Sequence, residues 1–148
     1  MPSISRSALV EHSALKMFNL VNDVEHYPER FAWCESVEVR ESSMDSKTAK
    51  LQLALGGFKT WFETRNTLNP PHDIHMKFVD GPFKSLDGVW TFHALDESAC
   101  KVSLRLDFEP RIGLLAPAFA LGFQALADRM VDDFIRVADD VNLQAETE

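Results

Sequence analysis

PAFALGFQALADRMVDDFIRVADDVNL, residues 117–143, reads as one long helix. Its large apolar residues fall at Phe119, Phe123, Leu126, Met130, Phe134, Val137 and Val141. They step by three or four, the period of a single buried stripe. Asp128, Arg129, Asp132, Asp133, Arg136, Asp139 and Asp140 supply the wet face. At 1.5 Å per residue such a helix is roughly 40 Å long, enough to cross a small domain. Burying six or seven of those side chains is worth on the order of 10 kcal/mol before entropy is subtracted. A large apolar surface must therefore lie beneath it.

The upstream sequence supplies a sheet. Residues 3–10 suit a first strand, and Ser13 offers an N-cap to a helix that places Ala14, Met17, Phe18 and Val21 on one face. Asp23 is expected to cap a second, shorter helical turn, with Pro28 limiting it because residues before proline avoid the helical region. Six alternating runs follow. Val37 and Val39 mark the first, and Ala49, Leu51, Leu53 and Leu55 the second. Gly56-Gly57 is a two-residue hairpin signal leading into residues 58–68. Ile74, Met76 and Phe78 alternate next. Leu86, Gly88, Trp90, Phe92 and Ala94 then share a face, as do Val102, Leu104, Leu106 and Phe108. One wet face per strand indicates antiparallel meanders. The fold class is α+β in a single domain spanning 1–148: about seven curved antiparallel strands, two short N-terminal helices and a long C-terminal helix.

Composition narrows the function classes. The chain is 45% hydrophobic and 26% charged with a formal net charge of −8, a balance that works against non-specific phosphate binding and hence against DNA as a partner. Cys34 and Cys100 stand far apart without a second ligand pair, so reduced thiols are expected rather than a disulfide or zinc site. MPSISRSALVEHS lacks an apolar core of signal-peptide length, so export is not expected. Residues 112–127 carry no charge, but Gly113, Pro117 and Gly122 interrupt them and the run is short for a membrane span. No phosphate loop, nucleophile elbow or H-E-x-x-H pair is present. Nothing marks a catalytic residue or a metal. His75 and His93 fall at outward strand positions, and Glu63 and Arg65, two apart on one strand face, read as a surface ion pair, with a place in a cavity mouth orienting a polar head group as the alternative.

Strand alternation and the helical stripe converge on Phe62, Phe78, Trp90, Phe92, Leu106, Phe123, Leu126 and Met130 as the lining of a space between helix and sheet. An ordinary core and an apolar ligand site use the same residue types, so periodicity leaves both readings open. Tyr27, Phe31 and Trp33 are too many aromatics for a solvated loop and are expected to close one end. Residues 114–123 are apolar all round and need a second burial partner. Leu115, Phe119 and Leu121 are accordingly candidates for a lipid entrance that touches a membrane surface transiently, with the ligand tail or a second subunit as alternatives.

The stretch NDVEHYPERFAWC, residues 22–34, resembles the D-V-E-x-Y-P…F…W-C motif of a bacterial and mitochondrial START-like family. That family includes coenzyme Q-binding START-domain proteins and the ribosome-association toxins. Thr64-Arg65-Asn66, Val79–Lys84 (VDGPFK), Leu86–Trp90 (LDGVW), Cys100–Val102 and Met130–Phe134 continue the match in family order. The resemblance implies a polyketide cyclase-like, helix-grip fold that binds a hydrophobic ligand, ubiquinone or a related polyprenyl lipid being favoured. It implies a non-enzymatic carrier supporting respiration or quinone synthesis, with no cofactor beyond that lipid, in the cytoplasm and peripheral to the inner membrane. A ribosome-binding role at the large subunit is the alternative, and a polyketide cyclase-type enzyme a more distant one.

Overall fold

The computed structural model describes residues 3–55, 58–111 and 116–147, without the side chains of residues 55, 58, 116, 118–120 and 141–147. Strand β1 (Ser3–Val10) leads into α1 (Ala14–Asn22), a 3-10 turn (Val24–His26) and α2 (Tyr27–Arg30). Six strands follow: β2 (Cys34–Ser42), β3 (Ser46–Leu55), β4 (Phe58–Asn69), β5 (Asp73–Asp80), β6 (Phe83–Asp96) and β7 (Ala99–Pro110). Helix α3 (Ala116–Thr147) completes the order. The sheet runs β1-β7-β6-β5-β4-β3-β2, antiparallel throughout. Because β1 and β2 lie at opposite edges, the segment joining them crosses the inner face, and α1 packs on β5, β6 and β7. Helix α3 covers the rest of that face and contacts β1, β3, β7 and α1. The expected seven-stranded helix grip is the observed architecture.

Local chemistry explains most boundaries. The Ser13 side chain accepts from the Lys16 amide at 3.1 Å, and the buried face of α1 is Ala14, Met17, Phe18, Leu20 and Val21. Two N-terminal expectations are corrected. Asp23 gives the 3-10 turn no side-chain cap; its carboxylate instead takes His26 Nδ1 at 2.8 Å and Arg30 at 3.1 Å. Pro28 does not stop the helix but sits in the first turn of α2, where its missing N–H costs nothing. Tyr27, before it, is helical nonetheless, held by its hydroxyl donating to the Val21 carbonyl. Glu63 and Arg65 are not an ion pair either: Glu63 Oε1 accepts from Arg40 Nε at 2.8 Å across the sheet, and Arg65 faces solvent.

The strand registers agree with the alternation. Leu86, Gly88, Trp90 and Phe92 of β6 are buried, as are Val102, Leu104, Leu106 and Phe108 of β7, while His75 and His93 face outward. The Gly56-Gly57 turn lies outside the described residues, but Leu55 pairs with Phe58 on either side of it. Among the described residues, Gly81 is the one that takes a left-handed backbone, with φ of 140° between β5 and β6. A Cβ there would lie 3.0 Å from Phe62 Cβ. Replacing Gly81 by alanine is therefore expected to cost about 1–3 kcal/mol of unfolding free energy, measured by urea denaturation; no loss would mean the turn relaxes freely.

Candidate ligand cavity

Between α3 and the sheet lies a cavity of about 60 Å³. Its floor is built by inward positions of five strands: Leu51 of β3, Phe62, Thr64 and Asn66 of β4, Met76 of β5, Leu86 and Trp90 of β6, and Leu104 and Leu106 of β7. Phe123, Met130 and Phe134 form the roof, and Val24 and Tyr27 close one side. Aromatic clusters stand at both ends. At one, Phe123 meets Phe83 at 5.0 Å and Phe108 at 4.8 Å between ring centres. At the other, Phe134 packs edge-on against Trp90 at 5.2 Å, Tyr27 at 5.5 Å and Phe31 at 4.7 Å.

Of the eight residues expected to line this space, Phe62, Trp90, Leu106, Phe123 and Met130 do so. Phe78, Phe92 and Leu126 are not among the described lining residues. Phe78 leans on Phe83, and Phe92 lies beneath α1 against Phe18. Leu126 is packed into the core. Residues i and i+2 of a strand stand almost 7 Å apart, so a small cavity meets only one or two inward positions per strand. Phe92 is one such step beyond Trp90. Sequence reasoning missed Leu51, Met76, Leu86, Leu104 and Phe134 as liners, although each lay on a face it had marked as buried or in the helical stripe. The omission of Thr64 and Asn66 matters more, since their inward register follows from Phe62 by counting in twos.

Tyr27, Phe31 and Trp33, expected at one end, are all buried there. Phe31 stacks on Trp33 at 4.8 Å, and Trp33 Nε1 donates to Asp133 Oδ2 of α3 at 3.1 Å. Of the other three candidates, Leu115 lies outside the described residues, as does the Phe119 side chain, and Leu121 is exposed.

The wall holds no charged side chain among its described residues, and Tyr27 is its titratable group. Burial pushes that phenol far above its ordinary pKa, with Cys34 and Asp23 adding to the effect, so it is a neutral hydroxyl near pH 7. Thr64 Oγ1 donates to Asn66 Oδ1 at 3.0 Å within the wall. Beside them, across the strand pair from Asn66, Lys47 donates to the Asn22 carbonyl at 2.9 Å and to Glu25 at 3.0 Å. Both cysteines are free and buried, and burial pushes the Cys34 thiol up to about 11 and raises that of Cys100. Away from the cavity, the buried His12 bridges Asp139 at 2.7 Å and Lys16 at 3.0 Å, tying α3 to the start of α1. No cluster of three or more metal-ligating side chains occurs among the described residues, and no helix there is long and apolar enough to cross a membrane.

Residues 10–135 match the family described as polyketide cyclase / dehydrase and lipid transport. The chain belongs to that family. Within it, a Vibrio cholerae protein named ribosome association toxin RatA is 45% identical over 141 residues, covering 95% of this chain and 98% of the relative. An Escherichia coli protein of the same name is 42% identical, covering 95% of this chain and 89% of the relative. Among solved structures, the Zhui aromatase/cyclase of a Streptomyces species superposes with a TM-score of 0.81 over 93% of each chain. At 20% identity that likeness concerns the fold. The family shares its helix grip with proteins of different chemistry, so function has to be argued from the cavity.

Proposed function

We propose that this chain is a non-catalytic binder and carrier of an uncharged hydrophobic small molecule, with an isoprenoid quinone as the preferred class. The observation that carries the reading is an apolar cavity, with no charged side chain among its described lining residues, roofed by α3 in a family whose description covers lipid transport as well as polyketide cyclases and dehydrases. An acid or base for cyclisation has to present a titratable group to substrate, and the wall offers Tyr27, whose proton is committed to the Val21 carbonyl. Drug-sized ligands occupy roughly 300–1,000 Å³, so the cavity of about 60 Å³ must expand to take one. Met76 in the floor and Met130 in the roof suit that, since thioether chains repack at little cost. The carrier would serve quinone synthesis or respiration at the inner membrane surface.

Mass spectrometry of organic extracts from gently purified protein tests this reading. A quinone in near-stoichiometric amount is the expected result, and extracts without a stoichiometric apolar molecule count against it. The exposed Leu121 is the proposed point of membrane contact. Leu121→Asp is expected to slow quinone transfer between vesicles about tenfold while leaving the circular dichroism unchanged; normal transfer by the folded variant removes the membrane step.

The names of the relatives at 42–45% identity favour a second reading, association with the ribosome. The net charge of −8 argues against broad contact with ribosomal RNA phosphates. Co-sedimentation with ribosomes at physiological salt, without lipid, would support this second reading.

A further inference from the structure

Thr64 and Asn66 are polar side chains on the inward face of β4, 3% and 8% exposed, in a wall that is otherwise almost wholly apolar. Their mutual hydrogen bond uses Asn66 Oδ1. The Asn66 Nδ2 amide forms no hydrogen bond among the described residues. Two donors therefore remain available at the cavity wall, where the acceptor of a ligand can meet them. The surroundings also leave space that can be opened. Asn66 pairs with Met76, and Met76 with Gly88, so that the row across the floor beside the amide is a thioether followed by a residue with no side chain. The Met76 methyl lies over Gly88, 2.7 Å from where a Cβ would be. Swinging that methyl aside makes room next to the amide without moving backbone.

We propose that the Thr64–Asn66 pair is the head-group site of the cavity, and that it selects an uncharged ligand whose compact head carries a hydrogen-bond acceptor such as a carbonyl oxygen. The assignment rests on the ligand-binding reading above and adds the class of head group to it. A carboxylate or phosphate head does not fit. It would be buried with no free counter-charge, because Lys47, the cation beside Asn66, already serves Glu25 and the Asn22 carbonyl. A hydrocarbon with no acceptor would leave the amide donors unsatisfied. The Thr64-Arg65-Asn66 stretch thereby divides its labour by strand alternation: Arg65 faces solvent and its neighbours face the ligand.

The test compares three probes of equal tail length: a decyl-substituted benzoquinone, decylbenzene and decanoate. Affinities are read by calorimetry for the native chain, for Asn66→Leu and for the double variant Thr64→Val with Asn66→Leu. The double variant removes both partners together, which leaves no orphaned hydroxyl and keeps the protein folded. The native chain is expected to bind the quinone at least about tenfold tighter than decylbenzene, and decanoate weakest. In both variants the quinone should lose about tenfold while decylbenzene is unchanged or tighter. A native chain that does not distinguish quinone from decylbenzene overturns the head-group site, as does a folded double variant that keeps the preference, or decanoate binding best. If none of the probes binds the native chain, the ligand-binding reading itself falls and the head-group site with it.

Discussion

Phe134→Ala is expected to lower the unfolding free energy by about 3–5 kcal/mol, the range for truncating a fully buried phenylalanine. Phe134 is 1% exposed and touches three rings edge-on from two parts of the chain: Trp90 of the sheet, and Tyr27 and Phe31 of the N-terminal segment. It is the contact through which α3, the sheet and the N-terminal segment hold one another. Because Phe134 also borders the cavity, its removal should join the space of the lost ring to that cavity instead of letting the walls collapse. Urea denaturation gives the magnitude, and near-ultraviolet circular dichroism should show Trp33 and Trp90 losing their fixed environment. Phe134→Leu, which keeps most of the volume, should cost less than half as much. A loss below 1 kcal/mol for the alanine variant would mean that the aromatic cluster is not packed as described.

The same residue shows what the sequence made legible. The helical stripe identified Phe134, Phe123 and Val137 as buried because a 3.6-residue period selects a face. It did not reveal that Ala127, Val131 and Ala138 are also buried, since the covered band is wider than a line of large residues. Strand alternation was legible for a related reason: a one-residue slip would turn every inward side chain of β6 and β7 to water. Depth was not legible. Phe92 and Trp90 share a face and a residue class, yet Trp90 borders the cavity while Phe92 lies under α1. That difference is set by where α1 crosses β6, a long-range contact without a local signature.

Pro28 is the clearest case of tertiary structure overriding a local rule. Steric preference disfavours the helical region for the residue before proline. Tyr27 adopts it because its ring packs on Phe31, Trp33 and Phe134 while its hydroxyl reaches Val21. The reach from Tyr27 back to Val21 closes the corner after α1 and brings the DVEHYP stretch against the cavity. The site's polar pair was missed for the opposite reason. Thr64 and Asn66 broke an apolar pattern, and the inward register was in hand; a polar residue at an inward position is the available signal for a binding function.

Met130→Trp should abolish uptake of the decyl benzoquinone, by at least about tenfold, while changing stability by no more than about 1–3 kcal/mol, the usual cost of enlarging a packed side chain. Met130 enters the cavity from the helix side and is only partly buried, so the backbone of α3 need not move to accept an indole. The new ring would take the space of about 60 Å³ and remove the flexible thioether that lets the roof adapt. A wedge from the roof leaves the Thr64–Asn66 pair and the outer face of the sheet untouched, so it separates the two functional readings. If the cavity is where the protein acts, the folded variant loses ligand and loses its physiological effect together. If association with the ribosome is the direct activity and the cavity is only a packing defect, Met130→Trp should co-sediment with ribosomes as the native chain does and keep that effect. Quinone binding that survives in a folded Met130→Trp protein would place the ligand somewhere other than between α3 and the sheet.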